Sequence, residues 1–151
     1  MAKDKAQGPA EAGDWDLIAF EVKSWGRSLN TWRIGPGGAG SWTETVETPG
    51  ATAMPVKTVY HLIEAGDAGF DRISAIVARL PDPPPDADKC THFMPDAAYG
   101  TIRLTKGSTT TEIAWNSGCL DEDYLPFVAT LKEADQQMRE WGKAGKVLRT
   151  E

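Results

Sequence analysis

The chain has 151 residues, with 16 Lys and Arg against 22 Asp and Glu, for a formal net charge of −6. That balance excludes a non-specific nucleic-acid binder, whose affinity rests on basic side chains displacing counterions from phosphate. No apolar run approaches the ~20 residues of a membrane-spanning helix, so membrane insertion is excluded, and 40% hydrophobic with 25% charged residues describes a folded domain rather than a disordered chain.

Residues 1–14 lack the apolar stretch of a signal peptide and read as a disordered polar tail. A cytoplasmic chain fits this start, and so does an exported one whose leader was exchanged for a start Met. From Leu17 to Trp25, Ile18, Phe20 and Val22 alternate with Ala19, Glu21 and Lys23, the period of a half-buried strand. Gly26-Arg27-Ser28 reads as a three-residue hairpin loop leading into a second strand, Leu29 to Ile34. In that register Trp25 faces Leu29, Val22 faces Trp32, Phe20 faces Ile34, and Glu21 sits opposite Arg33 as an ion pair.

The run Gly35-Pro36-Gly37-Gly38-Ala39-Gly40 satisfies G-x-G-x-x-G, the dinucleotide fingerprint, but a strand from Ser41 to Val46 follows it. Without a helix N-terminus behind the glycines a pyrophosphate gains no dipole, so the run reads as a mobile hairpin loop. Residues 48–55 are loop and Val56 to Ile63 a fourth strand. Asp67 is a candidate N-cap for an amphipathic helix over about 68–80, in which Phe70, Ile73, Ile76, Val77 and Leu80 repeat at helical spacing. A proline-rich connector, 81–98, crosses to a hairpin over 99–116.

There, Tyr99–Lys106 and Thr109–Asn116 flank the two-residue loop Gly107-Ser108. Pairing Lys106 with Thr109 sets Ile102 against Ile113, Leu104 against Thr111 and the Trp115 indole over Gly100. A second helix, about 122–142, carries Tyr124, Phe127, Val128, Leu131, Ala134, Met138 and Trp141 on one stripe. Asp121-Glu122-Asp123 would favour its positive end, Pro126 fits its first turn, and Gly142 would stop it. A flexible C-terminus, 143–151, completes the chain. The expected fold is α+β: an antiparallel β-meander covered by two amphipathic helices, in one domain over 15–142.

The order of elements across residues 17–142, with helix phrases such as FDRISAIVARL, resembles small secreted bacterial domains of β-meander, helix, hairpin and helix, the emfourin-type protease inhibitors among them. The resemblance is one of layout, so it transfers no functional residue. It implies a non-catalytic, exported protein.

Cys90 and Cys119 are the only cysteines, and the hairpin register brings Cys119 roughly across from Asp96, near the connector. A disulfide there would clamp connector to hairpin and imply a periplasmic or secreted location. Cys90, His92 and Cys119, with Asp96 or Asp121, are also possible zinc ligands, though their spacing matches no common structural site. Cys119 with His61 or His92 could form a nucleophilic pair. The acidic residues Asp82, Asp86 and Asp88 lack a calcium-loop pattern and read as solvated charge. No metal and no cofactor is expected.

Six tryptophans are the most unusual feature, four of them (Trp15, Trp25, Trp32 and Trp42) in the first sheet. Trp and Arg dominate binding hot spots, so Trp25, Arg27, Leu29 and Arg33 form the candidate binding patch. The expected function is a non-catalytic exported binding or inhibitor-like domain, monomer or weak dimer, recognising a protein, peptide or glycan. Two alternatives stand beside it: a cysteine-dependent enzyme built around Cys119 or Cys90 with a His, and a cytosolic structural subunit of a larger assembly whose buried tryptophans are only core. The competing reading of Trp25 itself is a ring packed beneath the tail near Trp15 or against a loop.

Overall fold

The structure is a computed structural model that describes residues 15–47 and 56–151. The expected tail, 1–14, and loop, 48–55, lie outside the described residues. Seven strands form one antiparallel sheet: β1 (Leu17–Ser24), β2 (Arg27–Ile34), β3 (Ala39–Glu47), β4 (Val56–Glu64), β5 (Tyr99–Lys106), β6 (Thr109–Asn116) and β7 (Val147–Thr150). Their order across the sheet is β6-β5-β1-β2-β3-β4-β7. Two helices, α1 (Gly66–Val77) and α2 (Leu125–Ala144), bury their apolar stripes against one face. The α+β class expected from the alternation and helical periods is therefore the class observed.

Ile18, Phe20, Val22, Trp32, Ile34, Trp42, Ile63, Ile102 and Trp115 are the inward residues of the strands, joined by Phe70, Ile73, Phe127, Leu131 and Met138 from the helices. Phe20 stacks between Trp32 and Trp115, with ring centroids 5.2 and 5.3 Å away. Each such side chain contributes roughly 1.5–3 kcal/mol by leaving water, which makes this layer the main reason the sheet holds its helices. The Trp32 Nε1–H donates to Asp135 Oδ1 at 3.0 Å, tying α2 to the centre of the sheet.

The β5–β6 register is the expected one, with Ile102↔Ile113, Leu104↔Thr111 and Gly100↔Trp115. A Cβ at Gly100 would lie 3.1 Å from the Trp115 ring and 1.9 Å from the Glu21 carbonyl oxygen, so the indole does cover this glycine. The β1–β2 register differs from expectation by two residues along most of the pair, where Phe20 pairs Trp32 and Ile18 pairs Ile34, and by three at the tip, where Ser24 pairs Arg27. The turn is Trp25-Gly26, with φ of 54° and 77°, not a three-residue loop. Leu29 becomes the extra residue of a bulge between Val22 and Lys23 of the partner strand. A two-residue slip keeps every side chain on its expected face, but it sets Glu21 opposite Thr31 and Arg33 opposite Ala19, so the expected ion pair is not made.

Other boundaries also move. Helix α1 begins at Gly66 with Ala65 at the cap position and no side-chain cap, leaving Asp67 within the first turn. Helix α2 starts at Leu125, after the acidic triplet, and runs through Gly142 to Ala144. Gly142 is an approach point rather than a stop, since a Cβ there would be 2.6 Å from the Trp42 ring. Residues 143–151, expected to be a flexible end, finish α2 and form β7, which pairs with β4. The glycine run folds as a short 3-10 turn, Pro36–Gly38, and β3 already begins at Ala39.

Candidate functional site: the open face of the sheet

The helices cover one face, and alternation sends the other set of strand side chains away from them. Two adjacent cross-strand rows build this open face. One row runs Glu112, Arg103, Ala19, Arg33, Ser41, Leu62; the next runs Ala114, Thr101, Glu21, Thr31, Thr43, Tyr60, Arg149. Together they floor an open concavity of about 500 Å³. Short side chains in the middle (Ala19, Thr31, Ser41, Thr43 and Thr101) leave it hollow, while Arg103 and Arg149 rise on either side.

Three arginines reach this surface. Arg103 Nε donates to Glu112 Oε1 at 2.7 Å, and Arg149 Nε to Glu151 Oε2 at 2.8 Å. The Arg149 guanidinium also lies 3.9 Å from the centre of the Tyr60 ring. Arg33 is exposed and has no ion-pair or side-chain hydrogen-bond partner among the described residues. Glu21, 4.0 Å from Lys23 Nζ, is the one carboxylate in the middle of the rows.

The sequence-derived patch is exposed but divided. Trp25 is 77% exposed and Leu29 41%, and Arg27 and Arg33 are exposed as well, while the tail lies outside the described residues. Trp15 alone of that pair is buried. Trp25 forms the β1–β2 turn, where the Gly26 N–H donates to the Tyr99 hydroxyl at 2.9 Å. Arg27 and Arg33 stand at opposite ends of β2, roughly 20 Å apart at ~3.3 Å per residue. Arg33 lies in the concavity, and Trp25 and Arg27 mark the hairpin tip. Arg103, Tyr60 and Arg149 were missed because only the strand order brings β5, β4 and β7 beside the first hairpin.

Cys90 and Cys119 form a disulfide, S–S 2.14 Å with Cα atoms 5.9 Å apart. Cys119 bridges to Phe93 rather than lying across from Asp96, because the backbone turns between 94 and 98 and breaks the extrapolated register. The Asp121 carboxylate accepts the backbone N–H groups of Thr91 and His92, each at 2.8 Å, and meets His92 Nδ1 at 3.1 Å. Those two backbone donors, first Thr91 and then His92, hold the Asp121 carboxyl below the usual carboxylate range. Asp121 therefore caps the connector rather than the helix it was expected to serve.

Sγ of both cysteines and an Asp121 oxygen lie within 4.8 Å of one another, but the two sulfurs are spent in their mutual bond. Neither supplies the thiolate a cysteine nucleophile requires. His61 is buried on β4, with Nε2 2.8 Å from Glu44 Oε2, and stands five strands from β6, roughly 24 Å at ~4.8 Å per strand. It is not beside Cys119. Among the described residues no helix is long and apolar enough to cross a membrane. No protein-family profile matches the chain, and no curated protein or solved structure is significantly similar to it.

Proposed function

We propose that the protein is a non-catalytic binding domain, periplasmic or secreted, that docks an acidic protein or peptide on the open face of its sheet. The concavity of about 500 Å³ holding Arg33, Arg103 and Arg149 carries this reading. Guanidinium groups offer planar donor forks that match carboxylates two bonds at a time. The Arg103–Glu112 and Arg149–Glu151 pairs are exposed, and such pairs contribute little on their own, so both arginines are free to exchange partners. Tyr60 adds an aromatic surface, and Trp25 and Leu29 extend the footprint to the hairpin tip. The disulfide supports export, since such bonds persist in oxidising compartments. The resemblance in element order to emfourin-type inhibitors, read from the sequence, adds to this reading of a small domain that acts by occupying another protein.

The test is selection of displayed random peptides on the intact, oxidised protein. Acidic sequences should be enriched, and Arg33→Ala combined with Arg149→Ala should weaken their binding roughly tenfold while melting stays unchanged. Failure to enrich acidic peptides, or binding that survives both substitutions, overturns the proposal. Enrichment on a glycan array that depends on Trp25 instead would move the ligand to a sugar.

A further inference from the structure

A second surface lies at the β6 edge of the sheet, where it borders the open face at Glu112 and Ala114. The other edge strand, β7, has four residues, and its pairing with β4 shifts register at Tyr60/His61. Such short, irregular edges resist pairing with other chains. Strand β6 has eight residues, TTTEIAWN, with no proline, no lysine and an uninterrupted register against β5. Glu112 is its one charged residue.

The orientation of its backbone follows from the hairpin. The two-residue turn makes Lys106 and Thr109 a hydrogen-bonded pair, so Thr109, Thr111, Ile113 and Trp115 direct N–H and C=O toward β5. Thr110, Glu112, Ala114 and Asn116 direct theirs outward. The Asn116 N–H is met by the Tyr124 hydroxyl at 2.9 Å, which agrees with that phase. Among the described residues nothing meets the outward N–H and C=O groups of Thr110, Glu112 and Ala114.

The connector builds a wall alongside. Pro84, Pro85, Asp86 and Asp88 line an open groove of about 510 Å³ whose other side is β6 from Glu112 to Asn116. Asp86 and Asp88 are exposed, as is Glu112, which pairs with Arg103, so the connector side of the groove is acidic in a chain of net charge −6. We infer that β6 and the connector form a strand-addition site for an extended basic peptide segment. The occupant would pair with the outward backbone of Thr110, Glu112 and Ala114 as an eighth strand, its Lys or Arg side chains meeting Glu112 on one face and Asp86 and Asp88 on the other. A second copy of this chain is disfavoured as occupant. Two antiparallel β6 strands paired about the middle of the free segment would set Glu112 directly against its own copy, which is repulsive.

The probe is a short synthetic peptide of alternating Lys and Val added to the intact, oxidised protein, followed by amide-resolved NMR. The Thr110, Glu112 and Ala114 amides should shift and gain exchange protection, while an alternating Glu and Val peptide leaves them unchanged. Ala114→Pro removes an outward donor without touching the β5 ladder and should weaken binding roughly tenfold, the worth of about one or two such bonds. Where that variant does not fold, the Lys-Val peptide N-methylated at alternate amides serves instead and should bind wild-type protein as poorly. Glu112→Lys should reduce the preference for the basic peptide. Unshifted edge amides, undiminished binding by the methylated peptide, or a dimer formed through β6 would each overturn the inference.

Discussion

The β1–β2 and β5–β6 hairpins both turn in two residues, yet they are held together by different means. The first lies inside the sheet, flanked by β5 and β3, and is fixed by what it buries: Ile18, Phe20, Trp32 and Ile34 all lie in the core. The second ends in an edge strand with much of its side-chain surface in water, and its exit is stapled by the Cys90–Cys119 bond, the Asp121 carboxylate and the Tyr124 hydroxyl. Central strands can rely on burial alone. A peripheral hairpin needs local fastening to hold the same precision.

Removing the staple should give the largest effect. Cys90→Ser with Cys119→Ser opens a loop of sequence separation 29 and should cost ~3–4 kcal/mol in the chain-entropy account, read from urea midpoints at constant slope. A cost near zero would mean that the hydrogen bonds around Asp121 suffice. Gly100→Ala strikes where the two hairpins meet, forcing a Cβ against the Glu21 carbonyl, and should cost about 2–3 kcal/mol. The turns themselves should respond with opposite signs. Gly107 (φ 60°) has open space around it, so Gly107→Ala should lose about 1 kcal/mol from backbone strain alone. Trp25 already bears a similar strain at φ 54°, and Trp25→Asn should gain roughly 0.5–1 kcal/mol, because Asn tolerates that region and the ring is mostly in water.

The smallest effect is one of acidity. Asp121 is more acidic folded than unfolded, so its contribution is complete above the ordinary carboxylate range and disappears as pH falls through its lowered folded value. Asp121→Asn should flatten that acid limb in a stability-versus-pH profile and leave the neutral region parallel to wild type.

The same contrast explains what was legible beforehand. Gly107 announces its turn, and from it every pair in β5–β6 follows. Trp25 is a poor occupant of a left-handed turn position, so Gly26 after it drew the expected loop to 26–28, one residue late at its start and two at its end, and the Leu29 bulge went unseen. The inward set survived because a slip of two conserves the strand period. Strand β7 was missed because Val147–Thr150 is too short to show alternation and acquires its role only from β4. The acidic triplet suggested a helix start locally, whereas Asp121 is claimed by the backbone of residues 29 and 30 positions earlier. Of the open face, Arg33 was readable from its alternation, but its companions depend on strand order, which no local window contains.

The bond between Cys90 and Cys119 also closes the chain into a ring around the second hairpin, with Gly107-Ser108 at its far side. A protease that cut the exposed tip would open the ring without releasing a fragment. The clipped molecule would keep its mass but for one added water, and only reduction would reveal that the backbone had been severed.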